Sequence, residues 1–169
     1  MRRFFAILTL MVATTVVAHA QSIRLGEPVP SLSLQSSIDE TLALYNRDYV
    51  CLIFAHSESE PCVDAIRDFA PTAEDISKQC AIVVITTESE LDKDSIVERL
   101  GVEDYILAFD SQGRTFKAFG IHYVPFAVVY RTKNSRIEWF GPMHHIETST
   151  FQKTSKHSKS IKPLKLWLS

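Results

Sequence analysis

The sequence that decides the fold is YVCLIFAHSESEPC, residues 49–62. Its first six residues are apolar, and an apolar run of this length is typical of a strand buried on both faces of a sheet. A polar loop follows, in which Ser59 is of a type that caps helices and the acidic side chains suit the positive end of a helix. We expect this helix to begin near Pro61 and to reach Gln79, with Pro71 kinking or splitting it because proline lacks the N–H group.

The alternation of strand and helix continues along the chain. Residues 81–86 form a second apolar, β-branched run, and residues 91–100 fit a helix that Gly101 ends. Strands and helices in this order predict a parallel sheet with helices packed against it. The same criteria indicate a short strand over 106–109, a short helix over 113–119, and strands over 126–130 and 136–140. The last two strands flank a turn at 133–135 and predict an antiparallel hairpin at the sheet edge.

The amino-terminal residues have the pattern of an export signal. Two arginines precede an apolar run over residues 4–17, and the small-x-small sequence Ala-His-Ala occupies residues 18–20. A membrane span needs about 20 apolar residues, which is more than this run supplies. We therefore expect residues 1–20 to be cleaved and the mature protein to be periplasmic or secreted, without a stable membrane anchor.

Charge divides the rest of the chain into two parts. Residues 21–152 hold 20 acidic and 11 basic residues, whereas residues 153–169 hold five lysines and no acid. An acidic body lacks the basic surface that nucleic-acid phosphates require, so nucleic-acid binding is excluded. The five glycines do not form a glycine-rich phosphate loop. We expect one domain over residues 21–148, followed by a basic tail over residues 149–169.

The order of these elements resembles the thioredoxin-like superfamily, and it is closest to the TlpA-like and redoxin branch. The matching pieces are GEPVP at 26–30, the strand, loop and helix over 50–62, the dipeptide Val124-Pro125, and WFGP at 139–142. The resemblance implies a three-layer α/β/α fold with a mixed central sheet that ends in an antiparallel hairpin. It also implies a cis bond before Pro125, an oxidoreductase role in cell redox homeostasis, and a protein or peptide thiol client.

The chain differs from this family in the loop that holds the family's two reactive cysteines. The family loop reads F-W-A-x-W-C-x-x-C, and here it reads FAHSESEPC over residues 54–62. Ser59 stands where the family has its nucleophilic cysteine, and Glu58 replaces the preceding tryptophan. Cys62 keeps the position of the second cysteine. A serine hydroxyl cannot form a disulfide, so we expect two-cysteine exchange to be altered or lost, leaving at most one-thiol chemistry at Cys62.

The sequence of this loop is compatible with two functions. As an enzyme, the protein would use the Cys62 thiolate, with Ser59 as a hydrogen-bond partner and Pro125 placing backbone beside the sulfur for a client or a peroxide. As a non-catalytic module, it would bind a peptide or protein partner along the edge at Pro125. Cys62 would then be a core residue, since free cysteines are among the most buried residue types.

A metal carrier is a third alternative. Cys62, His56 and His122 would converge if the motif loop faced the segment before Pro125. Thioredoxin-like copper chaperones of the Sco type use two loop cysteines and a distant histidine. One cysteine supplies less thiolate than a soft Cu(I) site usually takes, so no metal or cofactor is expected.

The remaining cysteines, Cys51 and Cys80, lie at the starts of two strands that should be neighbours. In an oxidising compartment they form a disulfide if their Cα atoms come within about 4.4–6.8 Å of each other. The sequence leaves the bridged and the free state open. Cys62 is the odd cysteine in either case.

Overall fold

The computed structural model describes residues 23–35 and 46–152. Five strands form one sheet: β1 (Tyr49–Phe54), β2 (Cys80–Thr86), β3 (Ile106–Phe109), β4 (Phe126–Arg131) and β5 (Arg136–Pro142). Their order across the sheet is β3-β2-β1-β4-β5. The pairs β1–β2 and β2–β3 are parallel, whereas β1–β4 and β4–β5 are antiparallel. The predicted mixed sheet that ends in an antiparallel hairpin is confirmed.

Helices cover both faces of the sheet. They are α1 (Glu60–Ile76), α2 (Lys93–Leu100), α3 (Arg114–Phe119) and α4 (Thr148–Gln152), with 3-10 turns over Glu90–Asp92 and Met143–His145. Apolar side chains of α1, α2 and α4 join the core on one face. Those of α3 and of the segment that precedes β1 pack on the other face. Every residue of β1 and β2 is buried, as a strand sandwiched between two layers requires.

Helix α1 runs without a break through Pro71 and ends at Ile76, three residues before the predicted end. Of the two expected effects of Pro71, a kink or a split, the split is therefore wrong. Proline removes one backbone hydrogen bond, but the buried apolar face of the helix extends on both sides of it, with Phe69 before Pro71 and Ile76 after it. Packing of this face against the sheet outweighs the local cost of the proline.

Asp110 follows β3 and holds the start of α3. Its Oδ1 atom accepts the N–H of Arg114 and its Oδ2 atom accepts the N–H of Phe116, each at 2.9 Å. A carboxylate that accepts the free N–H groups of a first helical turn is an effective cap. Asp110 thereby fixes the helix whose Phe116 ring meets the ring of Phe54 edge-on, with 5.0 Å between centroids.

We expect Asp110→Ala to lower the free energy of unfolding by about 2 kcal/mol, because two N–H groups lose a buried charged acceptor. Urea unfolding of the purified protein measures this change. Asp104→Ala removes an exposed acid from the loop before β3. This control should stay within about 0.5 kcal/mol of the wild type. Equal free energies of unfolding for the two variants would contradict the capping role.

The chain continues as a structured element past the predicted domain boundary at residue 148. Helix α4 crosses that boundary, and its Phe151 is buried with its ring edge-on to Tyr49 at 6.0 Å between centroids. The predictions for residues 1–20 and 153–169 lie outside the described residues. Within the described part of the chain, no helix is long and apolar enough to cross a membrane.

Candidate functional site

The motif loop, residues 55–59, leaves the carboxyl end of the central strand β1. In the ladders that flank β1, Phe54 pairs with Ile85 of β2 on one side and with Phe126 of β4 on the other. Pro125 directly precedes Phe126, so it lies beside the start of the motif loop, and its bond to Val124 is cis. The sheet therefore brings the motif loop and Pro125 to the same end, which we call the motif-loop end.

Ser59 occupies the N-cap position of α1, but its side chain makes no capping hydrogen bond. Its backbone carbonyl accepts the N–H groups of Cys62 and Val63, at 2.8 and 3.1 Å. The expectation that the Ser59 hydroxyl caps the helix is therefore wrong. Proline at the second helical position has no N–H to be capped, so the first turn needs one acceptor fewer.

Cys62 is the third residue of the 17-residue helix α1 and is completely buried, with 0% exposure. It belongs to the same apolar cluster as Ile66 of α1 and Ile53 of β1. Its amide donates to the Ser59 carbonyl, so the contact between Ser59 and Cys62 runs through the backbone. In this geometry the sulfur atom offers no surface to a client or a peroxide.

A carboxylate in the segment that follows β2 holds the motif loop in place through hydrogen bonds. Glu88, two residues beyond β2, accepts the N–H of Ser57 at 2.8 Å and the Ser57 hydroxyl at 2.5 Å. Its Oε2 atom also accepts the hydroxyl of the buried Thr86 at 2.7 Å. Burial raises the pKa of Glu88, but the hydrogen bonds from Ser57 and Thr86 and the nearby His56 outweigh this effect and lower it. The carboxylate stays ionised and holds the loop against β2.

Two further contacts involve the motif loop. Arg99 of α2 donates to the carboxylate of Glu58. His56 lies with Nδ1 at 3.7 Å from Glu88 Oε2, and the same nitrogen accepts the N–H of Glu58 at 3.3 Å. Sequence reasoning did not single out Glu88, Thr86 or Arg99. The position of Glu88 just after a parallel strand is the signal that could have found it, because carboxyl ends of neighbouring strands meet at one edge.

The structure does not assemble the metal-ligating set that the sequence suggested. Within the described residues, no three His, Cys, Asp or Glu side chains form a group that could hold a metal ion. His56 is instead engaged by Glu58 and Glu88, His122 is exposed, and Cys62 is enclosed in the core. No observation therefore favours the metal-carrier alternative.

Cys51 and Cys80 are free thiols, as is Cys62. The β1–β2 register pairs Cys80 with Tyr49 and pairs Cys51 with Ile82, so the two cysteines are offset by two residues. Such an offset between neighbouring parallel strands separates Cα atoms by about 8 Å. This exceeds the span of about 4.4–6.8 Å that a disulfide bridges, so the Cys51–Cys80 bridge is not formed.

Burial also suppresses the acidity of these two thiols. It raises the pKa of Cys51 to about 12. For Cys80, burial and the neighbouring Cys51 raise the pKa, and they outweigh the backbone of Cys51 and the charge of Arg47, which lower it. Cys80 is 3% exposed and lines a cavity of about 550 Å³ between the second half of α1 and the start of β2. That cavity lies at the end of the sheet opposite the motif loop.

No family model matches the chain, and no curated protein sequence matches it. Solved structures do match. A protein assigned as the thiol:disulfide interchange protein DsbE of Chlorobium tepidum superposes with a TM-score of 0.60 at 17% identity, covering 81% of this chain and 97% of that one. A thiol peroxidase from Chromobacterium violaceum gives a TM-score of 0.62 at 12% identity, covering 82% and 90% of the two chains.

A third similar structure is the exposed lipoprotein thioredoxin Etrx1 of Streptococcus pneumoniae. It has a TM-score of 0.53 at 18% identity and covers 69% of this chain and 89% of that one. The chain has the thioredoxin-like fold. Matches at such low identity establish this fold and leave the activity of the chain to be argued from its own residues. Within the thioredoxin-like fold, the motif loop lies between the carboxyl end of the central strand and the first turn of α1.

An aromatic surface borders the motif loop on the β4 side. Tyr123, in the segment before Pro125, is 55% exposed, and its ring meets that of Phe126 edge-on at 5.3 Å between centroids. Phe126 in turn stacks on Phe140 of β5 at 6.4 Å. The two half-buried rings support the exposed one, so Tyr123 presents a fixed apolar face. Sequence reasoning did not single out Tyr123.

Proposed function

We propose that this protein is an exported, thioredoxin-like protein of the thiol-disulfide redox class that has lost two-cysteine exchange. In its place we propose binding of a protein or peptide partner at the motif-loop end, beside Pro125. One observation carries this proposal. Serine occupies the position of the nucleophile, and all three cysteines of the chain are buried.

The mechanism of thiol–disulfide exchange explains why a missing nucleophile and buried cysteines argue against two-cysteine exchange. A thiolate must reach a disulfide sulfur and attack it, so the rate depends on both ionisation and access. Cys51 and Cys62 are enclosed by the core, and Cys80 lies at the far end of the sheet. Burial keeps Cys51 and Cys80 protonated at neutral pH. The chain thus has the scaffold for exchange without a thiol that can begin it.

The scaffold around the lost nucleophile supports a binding role. Ser57 is clamped by Glu88, and Tyr123 is supported by Phe126, so both sides of the motif loop are ordered by tertiary contacts. Preorganised surfaces bind with a smaller entropic cost than surfaces that must order on contact. The signal-like residues 1–20 support export, as do relatives in fold that include an exposed lipoprotein thioredoxin.

Thiol accessibility tests this proposal. Mature protein purified without reductant is treated with iodoacetamide across a pH series, and labelling of each cysteine is followed by peptide mass spectrometry. We expect Cys62 to react at least about 100-fold more slowly in the native protein than in urea, because its sulfur is buried. The protein should also fail to reduce insulin disulfides above the dithiothreitol background. Rapid labelling of native Cys62 would overturn the proposal.

One-thiol chemistry at Cys62 is the second candidate, and the position of that residue favours it. Cys62 lies in the first turn of a long helix, where unpaired N–H groups and the helix dipole stabilise a thiolate. Opening of the motif loop would have to expose it to a client, with Ser59 and Pro125 beside it. Under this candidate Cys62→Ser abolishes peroxide or disulfide turnover, whereas under the binding role it leaves partner affinity unchanged.

A further inference from the structure

Few hydrogen bonds join the motif loop to other elements in the part of the chain that the structure describes. Ala55 continues the ladder of β1, since its N–H donates to the Ile85 carbonyl at 3.1 Å. The last four residues of the loop are bonded, outside the loop itself and α1, to the side chains of Glu88 and Arg99. The closed position of the loop therefore depends on these two side chains.

Glu88 is the stronger of the two attachments. It accepts both the N–H and the hydroxyl of Ser57, and it is itself anchored to the buried Thr86, whose hydroxyl donates to Oε2. Hydrogen bonds to an ionised, partly buried carboxylate are stronger than those between neutral groups. Arg99 and Glu58 instead form an ion pair between exposed side chains, which water and salt weaken. Glu88 therefore supplies most of the attachment.

Cys62 lies directly behind this loop. Its N–H donates to the Ser59 carbonyl, and it belongs to the same buried cluster as Ala55. The Ser59 side chain makes no capping hydrogen bond and Pro61 has no N–H, so few local bonds hold the first turn of α1. The next buried residue of the helix is Ile66, one turn later. A loop that moves away from β2 can therefore carry the first turn with it and leave the rest of α1 in place.

We propose that Glu88 keeps closed a unit of the fold that opens locally. This opening unit consists of the motif loop and the first turn of α1, and its opening exposes the Cys62 sulfur while the sheet and the rest of the core stay intact. The inference rests on the proposed function and names what controls access to the thiol at that site. Segments with few buried contacts open at a lower free energy than the whole fold, and functional loops are drawn from such segments.

Thiol labelling at urea concentrations below the unfolding transition tests whether the opening is local. Cys51 is the internal reference, because it lies within β1, is completely buried, and becomes accessible only when the sheet comes apart. We expect the iodoacetamide labelling rate of Cys62 to change less than about twofold over this urea range. The rate for Cys51 should rise steeply, since the free energy of global unfolding falls linearly with urea. Peptide mass spectrometry follows both residues in the same sample.

Two matched variants test the role of Glu88. Glu88→Gln removes the charge that accepts the hydrogen bonds from Ser57, so we expect Cys62 to be labelled about tenfold faster. Glu90→Gln removes the same charge from an exposed side chain of the same segment. This control should change the labelling rate of Cys62 less than about twofold.

A third variant separates local opening from a general loss of stability. Ile137 is buried in β5, outside the opening unit. Ile137→Val destabilises the closed and the locally open states equally, relative to the unfolded chain. It should therefore raise the labelling rate of Cys51 about threefold or more and leave that of Cys62 within about twofold. An equal rise for both cysteines would mean that Cys62 is reached only by global unfolding, and it would overturn the inference.

Two other results would also contradict the inference. One is a Cys62 rate that rises with urea in parallel with that of Cys51, and the other is an unchanged Cys62 rate in Glu88→Gln. Neither result bears on the proposed function, which the wild type alone decides. That function depends on the slow labelling of native Cys62 relative to the unfolded protein, and on the absence of insulin reduction.

Discussion

Ser59→Cys is expected to raise the disulfide reductase activity of the protein far above that of the wild type. The substitution places a thiol at the N-cap of α1, three residues before Cys62. Residues with this spacing in a helix have Cα atoms about 5 Å apart, which is within the range that a disulfide bridges. The new thiol would also lie at the positive end of a 17-residue helix, which favours its thiolate. The nearby carboxylates of Glu58 and Glu60 oppose this effect in part.

The measurement is the rate of insulin reduction with dithiothreitol as electron source. We expect a rate on the order of 100-fold above that of the wild type, because thiolate fraction and access both rise. Oxidised Ser59→Cys protein should also lose two of its four titratable thiols. The matched control combines Ser59→Cys with Cys62→Ser and should stay at background. Background activity in the single variant, with the fold intact, would contradict the view that only the nucleophile is missing.

The second large effect is a loss of stability in alkaline solution. An unfolded cysteine has a pKa of about 8.5. Burial raises the pKa of Cys51 to about 12 in the folded protein, and the pKa of Cys80 is also raised. A thiol with a raised pKa holds its proton more tightly in the native state. Its contribution to stability is therefore complete below about pH 8.5 and is lost as the pH rises toward 12.

Each pH unit in this interval is expected to cost about 1.4 kcal/mol for Cys51, so this thiol alone removes about 3 kcal/mol of stability between pH 9 and 11. Urea unfolding at several pH values, with a phosphine reductant present, measures the slope. Lysine and tyrosine side chains titrate over the same range. The comparison is therefore with Cys51→Ala, which should lose stability at all pH values but show a shallower alkaline decline. Parallel declines in the two proteins would exclude the buried thiol as the cause.

The central strand, the motif loop and the start of the first helix could be predicted from residues 49–62 alone. An apolar run of six residues, a polar loop and a proline at the helix start are local signals that tertiary contacts reinforce. The hairpin of β4 and β5 could also be predicted, because a turn separates two runs of strand-forming residues. The absence of a cysteine at position 59 needs only the sequence, because no packing can supply a missing sulfur.

Contacts between distant parts of the chain could not be predicted in this way. Ser57 and Glu88 are 31 residues apart, and the bond between them forms because the parallel pairing of β1 and β2 brings the segments that follow these strands together. The continuity of α1 through Pro71 depends on the face that it buries, since the local preference at Pro71 is for a break. Helix α4 continues past the predicted domain boundary at residue 148, because its Phe151 packs edge-on against the ring of Tyr49.

The sequence by itself determined the order of strands and helices from β1 to β5 and the absence of a nucleophilic thiol at the motif loop. Both follow from residue types at adjacent positions, and their physical causes act within a few residues. The tertiary structure decided that Cys62 is enclosed, that Cys51 and Cys80 are free, and which side chains border the motif loop. All three depend on contacts between segments that are distant in the sequence. Packing of α1 on the sheet buries the Cys62 sulfur, and the register of β1 and β2 sets the distance between Cys51 and Cys80.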